Sequence, residues 1–403
     1  MAAVTPFLAH PLTEVGQLRI PPLAAAVVAM VIVAAVARFW PGAARDPAAE
    51  ASPAEDVHSW SGALGPVRVA TRVLAVALLV MVVAAGRLGS ESQVANLAPA
   101  LVLGAGWPLL IAASLLLGAV WRWVDPWDAM ARALARDDGS DPVADVRWGV
   151  IPAAAFVWYV AAYPFPESLS PRSVALAIGL YAIAMVAGAL IVGRRAWLSR
   201  ADVFGSILGW AAIFRKGLGT RWSPPRASEV VLGVLAGGLV FGAIRLSRLW
   251  GGFGVAPAAV LYATAGVAVL AGGFAAALWA LERRARAVGA GGSVPAAVVP
   301  AAATMAVALA MYADILFTSI GLLPGMLLDP FGAGGDPEGP FLGLCAELTC
   351  TPLIAVQTAV LMAGGIAGAI LLARRVPSPA DRQPAMAALC LIVAAGVVAV
   401  TAS

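Results

Sequence analysis

Asp314 is the acid that stands out. No other charge lies between Ser293 and Asp329. A carboxylate inside an apolar helix is expensive, and it faces protein or water rather than lipid. Counted from Pro295, Asp314 sits about 28 Å along its helix; Arg245, counted from Glu229, sits about 24 Å along another. Their matching depth makes them candidates for an ion pair that locks two helices together. Together with Tyr312, they are equally candidates for an ion or substrate pathway.

Three further groups could carry chemistry. Gly104, Gly106, Trp107 and Pro108 stand together in an apolar run. Proline removes a backbone donor and clashes with the preceding turn, so a broken helix is expected there. Broken helices line substrate sites in transporters, and proline kinks also occur with no such role. Cys345 and Cys350 lie in one acidic connection, where an oxidising side of the membrane would let them form a disulfide or leave two free thiols. His10 and His58 are the only histidines, both outside the apolar runs. No CxxC, HExxH, GxSxG, P-loop or GxGxxG motif occurs. No catalytic residue, metal site or cofactor is therefore assigned.

Elements of a particular kind must position these residues. Of 403 residues, 61% are hydrophobic and 12% charged, well below the charged share of about a quarter in soluble domains. An apolar run of about 20 residues spans a bilayer core as a helix. Ten runs fit: Leu18–Trp40, Val67–Leu88, Leu97–Val124, Trp148–Tyr163, Ser173–Gly193, Ser228–Leu249, Phe253–Leu281, Val294–Leu323, Pro352–Ala373 and Ala385–Thr401. The fold class is all-α, a single polytopic transmembrane bundle over residues 1–403.

Basic residues orient it. Connections after odd-numbered runs, with the run ends that flank them, hold 21 of the 26 lysines and arginines. Basic residues stay in the cytoplasm, so both termini are expected outside. They bracket apolar runs and form no soluble basic surface, which excludes nucleic acid as a partner. The lipid bilayer is the expected partner, in the cell membrane; protein partners are not readable.

The connections have features of their own. Residues 41–66 form a cytoplasmic loop, with a capping box at Ser52-Pro53-Ala54-Glu55. In the cytoplasmic loop 125–147, Asp125 and Asp141 each precede a proline, as helix caps do. An amphipathic helix follows Asp125, with Trp127, Met130, Ala131 and Leu134 on its apolar face and Asp128, Arg132 and Arg136 on its polar face. The connection 194–227 holds seven basic residues, which would attract anionic lipid head groups. Its apolar stretch Val203–Phe214 is about 18 Å of helix, too short to cross. An interfacial helix is expected, with a re-entrant segment as the alternative. The external loop 324–351 is acidic.

Three segments carry a resemblance: Asn96-Leu97-Ala98-Pro99, Trp121-Arg122-Trp123-Val124-Asp125-Pro126-Trp127, and Trp197-Leu198-Ser199-Arg200-Ala201-Asp202-Val203-Phe204. Over roughly residues 96–247 the chain resembles a group of prokaryotic polytopic membrane proteins labelled fenitrothion hydrolase-like. That group more often reads Asn-Pro-Trp where this chain has Asp125-Pro126-Trp127, and its last spans tend to hold histidine, which this chain lacks there. The resemblance implies a prokaryotic membrane protein, and the label implies organophosphate hydrolysis. Span count, the expected broken helix and Asp314 point instead to a transport or permease-like protein. A non-catalytic subunit that anchors partners is the third reading.

Overall fold

A computed structural model of the chain describes residues 22–39, 65–134, 150–163, 167–216, 228–246, 258–287, 298–311, 313–334, 351–375 and 382–402. Every regular element among them is helical. The helices are α1 (Pro22–Phe39), α2 (Gly65–Leu88), α3 (Trp107–Leu117), α4 (Trp121–Val124), α5 (Pro126–Leu134), α6 (Val150–Ala162), α7 (Pro171–Val192), α8 (Arg194–Ala201), α9 (Val203–Lys216), α10 (Ser228–Leu246), α11 (Ala259–Ala287), α12 (Val298–Met311), α13 (Ala313–Leu328), α14 (Thr351–Arg375) and α15 (Gln383–Ala402). Each of the ten expected apolar runs overlaps at least one of them.

Local chemistry sets the boundaries. Ser170 caps α7 by accepting from the Ser173 N–H, Pro171 opens the helix, and Gly193 ends it at φ 104°. The third run opens on the buried Asn96, whose Oδ1 accepts from Ala98 N at 3.0 Å. Its Nδ2 donates to the carbonyls of Ala85 and Ser90. That one side chain joins the end of α2 to the start of the third run.

Small residues set the packing. α10 and α11 run antiparallel, with Gly233 against the Ala275 backbone and Gly237 against that of Ala271. Gly364 of α14 faces the Ala306 methyl of α12. A methyl group at any of these glycines would approach the facing helix within 2.5 Å, so the GxxxG spacings serve internal contacts.

Among the described residues, five helical stretches are long and apolar enough to cross a membrane: Gly65–Leu88, Leu97–Leu117, Pro171–Val192, Ala259–Ala280 and Val356–Ala373. Their outward faces carry Val73, Leu74 and Val80 on α2, Leu180 and Ile183 on α7, and Leu261 and Val269 on α11, all exposed. Such contiguous apolar surface matches lipid, not water. The chain is an all-α helical membrane protein.

Several expectations change in detail. The eighth run is helical over its described stretches α12 and α13, and α13 continues through Pro324 to Leu328, where a loop was expected. In the helix after Asp125, Trp127 and Ala131 of the expected apolar face are buried and Arg132 of the polar face is exposed, as expected, but Asp128 of the polar face is buried and Leu134 of the apolar face is exposed. The segment expected at an interface, α9, is enclosed over its first ten residues: none from Val203 to Ala212 is exposed. It lies along α3 and also packs against α12 and α10.

Candidate functional site

The expected broken helix is not interrupted. Leu97–Pro99 is one α-turn, Ala100–Gly106 is a π-helix, and Trp107–Leu117 returns to α geometry. A π-turn absorbs an extra residue without unwinding the chain, which relieves the backbone that Pro108 deprives of a donor. Gly106 is required there, because a Cβ would stand 2.3 Å from the Leu101 carbonyl oxygen. At the junction, the Trp107 indole N–H donates back to the Leu103 carbonyl at 3.2 Å.

Trp107 also faces an apolar cavity of about 80 Å³. Ile111 of α3, Phe156 of α6, Phe204 and Ile207 of α9, and Met305 of α12 share its wall. Thr304 is the polar side chain among the lining residues. On α10, Gly238 and Gly242 line it too, and a Cβ at Gly238 would stand 2.2 Å from Val157 of α6. Apolar cavities of this kind suit uncharged guests.

At the arginine-rich end of the bundle, two acids are buried among the connections. Asp128 on α5 is 8% exposed. Arg72 of α2 reaches its Oδ2 at 2.7 Å, Arg132 reaches the same oxygen at 2.9 Å, and Arg194 of α8 bonds Oδ1. Burial alone would raise Asp128, but the bonds and charges of Arg132, Arg194 and Arg72 outweigh it and hold its pKa below the usual value. The same face of α2 finishes α4: Arg68 and Arg72 donate to the Arg122 carbonyl and Thr71 to that of Trp123. Those are carbonyls that a helix end leaves unpaired.

Asp202 lies between α8 and α9 and is 2% exposed. Its surroundings are different in kind. The Trp121 indole N–H donates to Oδ2 at 2.7 Å, the Gly205 N–H to Oδ2 at 2.9 Å, and the Phe204 N–H to Oδ1 at 3.1 Å. Asp202 is thus the N-cap of α9. The Tyr181 hydroxyl lies 3.2 Å from Oδ1 and accepts from the Val203 N–H at 2.9 Å. No arginine pairs with Asp202 among the described residues. Burial, and then the charge of Asp125, raise its pKa to about 8 against the bonds from Trp121, Gly205 and Tyr181.

Asp125 stands between the two. It caps α5 through its Oδ1 and the Asp128 N–H, at 2.9 Å, as the Asp-Pro start predicts. Burial, with the Asp128 charge adding to it, raises its pKa to about 6 against the backbone bonds and Arg72.

Aromatic rings join this cluster to the cavity. Trp121 stacks on Phe204 with centroids 5.7 Å apart, and Phe156 meets Phe204 edge-on at 5.2 Å. Trp127 meets Tyr181 edge-on at 5.4 Å. Trp197 donates to the Ala184 carbonyl at 3.1 Å and lies over Gly188, where a methyl would overlap its ring.

The residues singled out from sequence that the structure describes take different places. Gly104, Gly106, Trp107 and Pro108 form the π-to-α junction beside the cavity. Arg245 donates to the carbonyls of Ala161 and Tyr163 at 2.8 and 3.1 Å, closing the end of α6. Asp314 is the second residue of α13, whose principal neighbour is the π-helical turn, whereas α10 packs chiefly on α11, α6 and α15. The Asp314 side chain, Tyr312, Cys345, Cys350, the capping box at Ser52 and the Asp141 start lie outside the described residues.

Asp202 and Tyr181 drew no attention as site residues in the sequence, although Asp202 belongs to one of the resemblance segments. The available signal was the pair of tryptophan-rich segments, which meet at the Trp121–Asp202 bond. Compared with known proteins, the chain matches no family model, no curated protein and no solved structure.

Proposed function

We propose that the chain is a permease-like protein of a prokaryotic cell membrane that crosses the bilayer ten times with both termini outside, and that its cargo is a small uncharged, apolar molecule. The observation that carries this reading is the apolar cavity at the π-to-α junction, walled by five segments and without a charged lining residue. The enclosed α9, with basic residues at both ends, fits a re-entrant segment better than a surface helix. Its arginine-rich end then faces the cytoplasm, where anionic lipid head groups would gather.

Proteoliposome uptake tests the function. A panel of small apolar solutes should include one whose entry is saturable and is abolished by Ala308→Phe, which fills the cavity wall. Absence of any saturable uptake, with a protein partner that co-purifies in fixed ratio, would replace transport by anchoring. Reporter fusions at Gly289 and Ser403 should read cytoplasm and exterior; the same compartment at both would end the ten-span topology.

A second reading comes from the resemblance, because two of its three segments meet through Trp121 and Asp202. Among the described residues, no group of three or more His, Cys, Asp or Glu is placed to hold a metal. Release of a phenol from a phosphotriester by the purified protein would establish a hydrolase in place of a permease.

A further inference from the structure

We propose that Asp202 is a proton-binding site that fastens the enclosed helix α9 to the third apolar run and loosens that fastening when it takes a proton. The proposal needs no assumption about cargo, so it stands or falls apart from the transport reading.

The geometry supports it in three ways. First, the carboxyl is enclosed but has only neutral donors: one indole, one phenol and two backbone N–H groups. A buried carboxylate without a counter-charge is the kind that exchanges a proton instead of remaining fixed. Second, a place for the proton already exists. The Tyr181 hydroxyl donates to Oδ1 at 3.2 Å and has a second acceptor, the Ala201 carbonyl, at 3.5 Å. When a proton from water binds Oδ1, the phenol turns its own hydrogen to Ala201. The phenol oxygen then accepts the new Asp202 O–H alongside the Val203 N–H. No charged partner has to move, and Asp202 goes from one negative charge to none. Third, what changes is a tether. The charged carboxylate favours the positive N-terminal end of α9 and strengthens the Trp121 bond; the neutral acid does both less well. Phe204 and Ile207, two and five residues along, form part of the cavity wall.

The titratable groups around it are few. Asp125 approaches from the α4–α5 junction and adds its negative charge, and Tyr181 approaches from α7. On α8, Arg194 is bonded to Asp128 and the Ala201 carbonyl faces Tyr181. From α6 it is the Phe156 ring that packs on Tyr181 and Phe204.

Infrared titration of the purified full chain in lipid nanodiscs, from about pH 5 to about pH 10, tests the site. The native protein should show a protonated-carboxyl band that disappears with a midpoint near pH 8. Asp202→Asn should remove that component. Trp121→Phe and Tyr181→Phe, each deleting one donor to the charged form, should keep the band and move its midpoint up by about one pH unit; they also keep the test decisive if Asp202→Asn does not fold. The resonance Raman difference between native protein and Trp121→Phe should show a stronger indole N–H bond above the midpoint than below it. A native band that titrates only in the ordinary carboxylate range, a band that survives Asp202→Asn, or midpoints unmoved in both donor variants would overturn the site. An indole signal unchanged across the midpoint would overturn the tether.

Discussion

Asp128 and Asp202 are both aspartates, both enclosed and both set in connections at the arginine-rich end of the bundle, yet they are solved by opposite means. Asp128 is surrounded by three guanidinium groups and keeps its charge; Asp202 is surrounded by neutral dipoles and holds its charge weakly. The first arrangement binds α2, α5 and α8 into one unit. The second leaves α9 attached by bonds whose strength depends on a proton. Burial therefore does not decide the role of an acid; the charge of the groups that reach it does.

The contrast is open to attack, and the heaviest blow is Asp128→Ala. It strands Arg72 and Arg194, whose side chains are 13% and 12% exposed, and should cost about 3–5 kcal/mol of detergent-solubilised stability. A loss below that of removing Asp202 would erase the distinction. Asp202→Ala comes next, with the cap and the Trp121 bond gone together, at about 1–2 kcal/mol. Asp202→Asn keeps an acceptor oxygen and should cost less, most visibly less at alkaline pH.

Thermal unfolding against pH separates the two acids by sign. A folded pKa above the ordinary value of 3.8 means that the stability owed to Asp202 is complete below that value and is lost as pH rises through about 8, because the burial cost of the charge exceeds the bond strength that the charge adds. Asp128, with its pKa lowered, contributes above the ordinary value and loses that contribution as pH falls through its folded pKa. Asp202→Asn should flatten the alkaline limb and leave the acid limb unchanged. Two flattened limbs would mean that the acids act as one unit. The smallest effect belongs to Arg132→Ala. Its side chain is 49% exposed and it pairs one turn along its own helix, so about 0.3–0.5 kcal/mol is expected. A larger loss would make the Asp128 cluster more tightly cooperative than its exposure implies.

What the sequence determined by itself is whatever depends on neighbours along the chain. Apolar runs of bilayer length became helices because the hydrogen bonds of an apolar backbone must close locally. Asp125 before Pro126, Ser170 before Pro171 and Asn96 before Leu97 are caps for the same reason: donor and acceptor lie within three residues. Gly106 beside Trp107-Pro108 marked a disturbed helix, though not that the chain would widen into a π-turn instead of breaking. Tertiary structure alone decided the rest. Trp121 lies 81 residues before Asp202, and Arg194 lies 66 after Asp128. An amphipathic pattern places Asp128 on the polar face of its helix but cannot say whether water or arginines cover that face. Nor can it say that the ten residues after Asp202 are all covered. Burial is a property of what arrives from elsewhere in the chain, and with burial comes the strength of every charge these acids carry.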